Sequence, residues 1–212
     1  MDRLTVAWGR YVRWLAGASE RLSGDLLPGA TAAELAAFET SVGMEVPAEL
    51  RELWALCGGQ ATIDAGVGVF PGLDFLGPGA ASKEWLMWRR LRDESPADEM
   101  AELSSLATSR PAGAIAASYS CAGWIPVWRM EMAPDYVGID LEPGPTGTVG
   151  QIITFGRDQD DKVVVAESLA EVVEFFASAA ERGQLRVVTD PKSGDSYLRH
   201  EAGPIGSVLS GV

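Results

Sequence analysis

The chain reads as a single α+β domain, with several helices packed on an antiparallel or mixed sheet of five to six strands. Three features predict this. Residues 124–166 contain four short runs rich in Val, Ile and aromatic residues, each bounded by Gly, Pro or Asp. A single amphipathic helix follows them. Ahead of them lie several segments in which apolar residues recur every three or four positions, the period of a helix with one buried face. At 212 residues the chain can bury a substantial core.

In chain order, Leu4, Trp8, Tyr11, Val12, Leu15 and Leu22 predict a first helix over 3–22, stopped by Ser23-Gly24-Asp25 and Pro28-Gly29. Thr31 and Glu34 have the spacing of a capping box, in which hydroxyl and carboxylate satisfy amides left free by the first turn. Leu35, Phe38 and Val42 form that second helix's apolar face, and Gly43 ends it. Pro47 suits the start of a third helix, where a missing amide donor is harmless. Leu50, Leu53, Trp54 and Cys57 share its inner face, and Gly58-Gly59 closes it.

Residues 60–81 are rich in Gly and Pro, with one short strand expected over Gly66 to Phe70. Ser82 to Arg92 predicts a fourth helix with Trp85, Trp88 and Leu91 in the core. Ser95-Pro96 and Asp98 signal the start of a fifth. Residues 108–121 carry no clear period.

The strand runs are Trp124 to Arg129, Tyr136 to Leu141, Val149 to Phe155 and Lys162 to Ala166. Ser168 and Glu171 open the closing helix with a second capping-box spacing, Val172, Phe175, Phe176 and Ala179 line one face, and Gly183 stops it. Leu185 to Thr189 reads as a strand, and 190–195 as a turn into Tyr197-Leu198-Arg199. The last dozen residues, with Gly203, Pro204, Gly206 and Gly211, read as a tail.

Composition excludes several functions. A net charge of −13 makes nucleic acid or an anionic membrane a poor partner and is compatible either with a basic protein partner or with solubility alone. No apolar run approaches the roughly 20 residues that span a bilayer. Arg3, Arg10 and Arg13 interrupt any secretory signal, so a cytoplasmic location is expected. Cys57 and Cys121 read as reduced thiols.

The inventory for catalysis is thin. His200 is the single histidine, placed in the Gly-rich tail, so Ser-His-Asp or Cys-His chemistry would have to depend on a tail residue. Two cysteines and one histidine do not make a zinc site. The glycines of 143–150 lack the Gly-Lys-Ser/Thr ending of a phosphate loop and lead into a strand, so they read as a hairpin turn. No cofactor, metal or catalytic residue is expected.

Asp158, Asp160 and Asp161 place three carboxylates within four residues, but Val163 and Leu169 stand where a calcium loop needs Gly and Glu. They read as a solvated hairpin tip or an acidic contact for a basic partner. Asp140 and Glu142 close a neighbouring strand, and the chain's path could bring both groups to one rim of the sheet. Trp124, Pro126 and Trp128 share one strand face by period two; such a row is more often core than interface, yet Trp is enriched at binding hot spots, which makes Trp128 a candidate contact. The expected partner-binding residues are therefore Asp140, Glu142, Asp158, Asp160, Asp161 and Trp128.

Two separated stretches together resemble the SUKH superfamily, in its cell-wall-assembly-regulator (SMI/KNR-type) branch. The first runs from Leu27 to Gln60 and carries Glu34 to Phe38, Gly43, Val46-Pro47 and Gly58-Gly59. The second, Trp124 to Gly183, carries Trp124-Ile125-Pro126, Ile139-Asp140-Leu141, Gly147, Gly150-Gln151-Ile152, Ala166 and Ser168. The resemblance divides the chain into an N-terminal helical extension (1–26), a SUKH-like domain (27–183) and a C-terminal strand, turn and tail (184–212). It implies an α+β fold without cofactor and a function in protein binding. Bacterial members include immunity proteins against polymorphic or contact-dependent toxins, whereas fungal members regulate wall synthesis through protein contacts. The expectation drawn is a cytoplasmic immunity protein that occludes a basic toxin domain. The alternative is a regulatory or scaffold module of the fungal kind. An enzyme using Asp140 and Glu142 for acid–base work ranks last, since carboxylates alone support few chemistries.

Overall fold

Strand β3, Trp124–Met130, carries both hydrophobic layers of the fold. The computed structural model describes residues 2–63, 68–130, 134–203 and 208–209. β3 lies between β1 (Leu73–Phe75) and β4 (Asp135–Asp140). Beyond β4 come β5 (Gln151–Gly156), β6 (Asp161–Ala166) and β2 (Thr108–Arg110), giving the order β1-β3-β4-β5-β6-β2. All neighbours are antiparallel except β2 and β6, which are parallel, so the sheet is mixed and the class is α+β.

Pro126 has no amide to give to the ladder, and the pairing slips there. Pro126 faces Gly138, the next pair is Trp128 with Val137, and Val127 is left over as a bulge. The carbonyl of Val127 then accepts from the amide of Leu76 at 2.9 Å. The extra residue also reverses the alternation. Trp124 and Pro126 share the face of Asp140, Gly138 and Tyr136, whereas Trp128 turns to the other face with Ile125, Val137 and Ile139. The expected row of Trp124, Pro126 and Trp128 is thus split by one residue.

Helices cover both faces. On the Trp128 side, α1 (Arg3–Ala18) lies against α7 (Leu169–Glu181), with α4 (Ala48–Leu56) beside both. Phe70 is the hub, 4.8 Å from the ring of Tyr11, 4.9 Å from Phe176 and 5.7 Å from Trp128. The Tyr11 hydroxyl donates to the Val69 carbonyl at 2.6 Å, so its polar end is satisfied inside the core. On the Trp124 side, α5 (Pro78–Glu94) sets Trp88 against Tyr136, and Trp124 packs on Phe155. α3 (Ala32–Val42) runs beside α5 and brings Phe38 edge-on to Trp54 at 4.9 Å.

Several boundaries differ from the sequence reading for local reasons. The first helix stops at Ala18, because the Ser19 hydroxyl caps a separate short helix, α2 (Glu20–Ser23), by accepting from the Leu22 amide. The fourth starts at Pro78, where proline fits the first turn, rather than at Ser82. Leu91 is 38% exposed, not core. The fifth is α6 (Ala97–Ser105), none of whose residues is fully buried. The strand expected over Gly66 to Phe70 falls partly outside the described residues. Here β1 forms instead at Leu73–Phe75, after Gly72 turns at φ +65°. Residues 108–121 supply β2, recruited by the edge of β6.

Thr31 and Glu34 form the full capping box. At α7 the box is displaced, because Glu171 accepts from the Glu167 amide while Ser168 accepts from that of Glu171. Of the two phenylalanines, Phe176 is fully buried, and Phe175 is only partly so, stacked on His200 at 5.9 Å. His200 ends β8 (Ser196–His200), which pairs with β7 (Leu185–Thr189) in a two-stranded ribbon. It is therefore buried in a strand, not in a tail.

Two outcomes follow from this packing. Trp54 is fully buried and donates its indole N–H to the Leu76 carbonyl at 2.9 Å, so Trp54→Ala should cost about 3–5 kcal/mol in urea unfolding, and Phe175→Ala clearly less. Arg10 holds α1 to α7, donating to Glu174 at 2.7 Å and by two bonds to Glu181. It depresses both carboxyls below their ordinary 4.5. Groups with depressed folded pKa values stabilise above their unfolded value and lose that stabilisation as pH falls. Arg10→Gln should therefore lower stability at pH 7, and the gap from the parent should close as pH drops below 4.5.

Candidate protein-interaction groove

The first turn of α4 has no side-chain cap, because Pro47 occupies the capping position. Its surroundings are fixed from outside. Glu39 at the end of α3 accepts from the Val46 amide at 2.9 Å and from Arg51, which ties the 43–47 turn to α4. Glu49 points the other way and accepts from the amides of Leu169 and Ala170 at 2.8 and 3.0 Å. A carboxylate of α4 thus satisfies the free donors at the start of α7, where negative charge also suits the helix dipole.

Between these anchors lies an open groove of about 680 Å³. Val46, Pro47, Ala48, Ala55 and Leu141 give it an apolar floor, and Glu45, Arg51 and Glu52 its charged rim. Arg51 is already paired with Glu39, so the rim is net acidic. Glu52 shares the Thr5 hydroxyl with Asp2. Their hydrogen bond draws the Asp2 carboxyl down to about 2 and pushes Glu52 up. Leu141 reaches the groove because it leaves β4 with its amide bonded to the Gly123 carbonyl.

The expected site residues are dispersed. Trp128 is wholly buried against Phe70 and Phe75. Asp140 is also wholly buried, accepting from the Glu142 amide at 3.0 Å and the Gln151 side chain at 2.8 Å. Burial raises its pKa. Neither side chain is exposed to a partner: the bulge sets Trp128 in the layer under α1 and α7, and the turn after β4 is built on Asp140. Glu142 is exposed and accepts from the Cys121 thiol at 2.7 Å. Burial first, and Glu142 second, push that thiol up to about 12.

Asp158, Asp160 and Asp161 are exposed, with Asp161 paired to Arg110 at 2.8 Å. They do not share a rim with Asp140. The β4–β5 register pairs Asp140 with Gln151 and Asp135 with Gly156, so the aspartates follow the opposite end of the strands. That end is organised by Asp135, buried, which accepts from the Asp158 amide and the Gln159 side chain. The sequence reading singles out Val46-Pro47 and Leu141 as motif residues but not as a shared groove, and the acid-rich helix start of Glu45, Glu49 and Glu52 around Pro47 is not read as a site.

Among the described residues, no group of three His, Cys, Asp or Glu is placed to hold a metal ion, and no helix is long and apolar enough to cross a membrane. His200 spends its Nδ1 accepting from the Ala202 amide at 3.1 Å.

With this geometry in view, the sequence comparisons decide the family. Residues 29–174 match the model of the SMI1 / KNR4 family (SUKH-1). The chain belongs to that family. Its relatives include the "Cell wall biosynthesis/cell cycle regulator smi1" of Schizosaccharomyces pombe, 34% identical over 207 residues, which are 93% of this chain and 39% of the relative. The "Glucan synthesis regulatory protein" of Neurospora crassa is 27% identical over 211 residues, 87% of this chain and 40% of the relative. The "Cell wall assembly regulator SMI1" of Saccharomyces cerevisiae is 42% identical over 93 residues, 42% of this chain and 18% of the relative. The chain thus spans about two-fifths of the length of the first two. These SMI1/KNR4 relatives are fungal regulators, which overturns the expectation of a toxin-neutralising immunity protein and favours the regulatory alternative.

The bond from Glu49 to α7 can be tested directly. Glu49→Ala removes the acceptor for two helix-start amides and should cost about 1–2 kcal/mol in urea unfolding, the usual loss for a helix cap. A cost near zero would show that solvent replaces it.

Proposed function

We propose that this SMI1/KNR4 chain is a non-enzymatic, regulatory protein-interaction module whose groove between α4 and Leu141 takes an apolar, basic stretch of a partner protein. The observation that carries this is the groove itself: an apolar floor whose rim carries Glu45 and Glu52, neither of them in an ion pair among the described residues. The long match to the S. pombe regulator supports the regulatory part. Glu142, Asp158, Asp160 and Asp161 then contribute through the field of a chain carrying −13, which speeds the approach of a basic partner without contacting it. Cys57 and Cys121, both free thiols, support a reducing cytoplasmic setting.

Selection from a random-peptide display library tests the reading. Recovered ligands should be enriched in Lys, Arg and large apolar residues, bind more weakly as salt rises, and lose at least about tenfold in affinity on Ala55→Arg. Acidic ligands, or ligands indifferent to Ala55→Arg, would contradict it.

A further inference from the structure

Helix α5 presents a second surface of opposite charge. Seven large apolar side chains are exposed among the described residues, and three of them, Leu86 (39%), Met87 (46%) and Leu91 (38%), lie on this helix. With Lys83, Arg90 and Glu94 they recur at spacings of three and four, so they form one outward stripe. The opposite side of the helix is fixed: Ala81, Trp85 and Trp88 are buried, and Trp85 donates to the Ala122 carbonyl at 2.9 Å.

The charge of this stripe departs from that of the chain. Between Lys83 and Glu94 the outward cations are Lys83, Arg89 and Arg90, while Arg92 turns away to donate to the Ser120 hydroxyl and the Cys121 carbonyl. Of the acids in the same span, Glu84 is turned to Tyr136 and Arg129. That leaves Asp93 and Glu94, paired with Arg89 at 3.5 Å and Arg90 at 2.9 Å. Exposed pairs one helical turn apart are weak and easily exchanged for an incoming carboxylate. Lys83 has no ion pair among the described residues.

We infer that the outward stripe of α5 is a docking surface for an acidic amphipathic helix of a partner protein. Its leucines would cover Leu86, Met87 and Leu91, and its carboxylates would meet Lys83, Arg89 and Arg90. Helix-on-helix docking uses anchors at these spacings, and opposite charges set the register. A second copy of this chain fits less well. Each copy carries −13, so two copies repel each other as they approach. The inference is independent of the groove, whose ligand has the opposite charge.

The test titrates the isotope-labelled full chain with a synthetic helical peptide bearing Leu at helical spacing and Glu elsewhere, read by NMR amide shifts. A control peptide carries Lys in place of each Glu. The acidic peptide should shift the amides of residues 83–94, and the control should not. Met87→Ser with Leu91→Ser, and separately Lys83→Glu with Arg90→Glu, should each weaken binding about tenfold. All four side chains are exposed, so the fold should persist, with unchanged circular dichroism as the check. Ala55→Arg should leave this binding unchanged, which separates its failure from failure of the groove. Absent shifts, shifts mapping elsewhere, or equal response to the Lys peptide would overturn the inference. So would a concentration-dependent doubling of mass that the Met87→Ser, Leu91→Ser variant abolishes, since that assigns the stripe to a second copy.

Discussion

The slip at Pro126 is the constraint from which the rest of the architecture follows. A regular β3 would place Trp124 and Trp128 on one side and leave the other short of aromatic volume. With Val127 inserted, Trp124 packs on Phe155 beneath α5, and Trp128 packs on Phe70 and Phe75 beneath α1 and α7. One strand thereby nucleates two layers, and large rings dominate the energetics of each. Proline is tolerated because β1 pairs only with Trp128–Met130, so no partner on that side asks for an amide at position 126. The freed Val127 carbonyl holds Leu76, whose own carbonyl receives the Trp54 indole. The bulge is thus linked through two hydrogen bonds to α4 and the groove.

Polar groups in the interior extend the same connection. Gln60 accepts from the amides of Val69 and Phe75 and donates to Asp74, which accepts from Arg129. Arg129 also meets Glu84, which accepts from the Tyr136 hydroxyl. This relay runs from the loop before β1, across β3, to α5. Buried polar groups are costly unless satisfied, and satisfied ones specify a single arrangement. The backbone approaches are equally restrictive: Gly59, at φ +106°, lies so near Gly77 that a Cβ would stand 2.4 Å from its amide nitrogen. The turn after α4 and the start of α5 are therefore locked together.

Much of this was legible in the sequence. Helix-period patterns located α1, α3, α4, α5 and α7, and turn residues bounded β4, β5 and β6 to within about two residues. Capping signals worked where the partner was local, as at Thr31 and Glu34. They failed to anticipate Glu49 at α7, because that acceptor comes from a distant helix. The site was harder. Period two put Trp128 beside Trp124, and nothing short of the pairing register could show the slip. Asp140 looked like a rim carboxylate because burial by Gln151 and the 142–150 turn is a tertiary fact. The groove was hidden for the same reason, since Leu141 and α4 are far apart in the chain. Family resemblance located the fold correctly, but the choice between bacterial and fungal function lay outside any local pattern.

The central claim is that one bulged strand couples both layers, so that the helices on opposite faces of the sheet unfold together. Native-state hydrogen exchange across a urea series measures this directly. The account predicts that the slowest amides of α1, on the Trp128 face, and of α5, on the Trp124 face, share one opening free energy and one urea dependence. If α5 opened at distinctly lower free energy while α1 stayed protected, the two faces would be separate units, and β3 would not be what joins them.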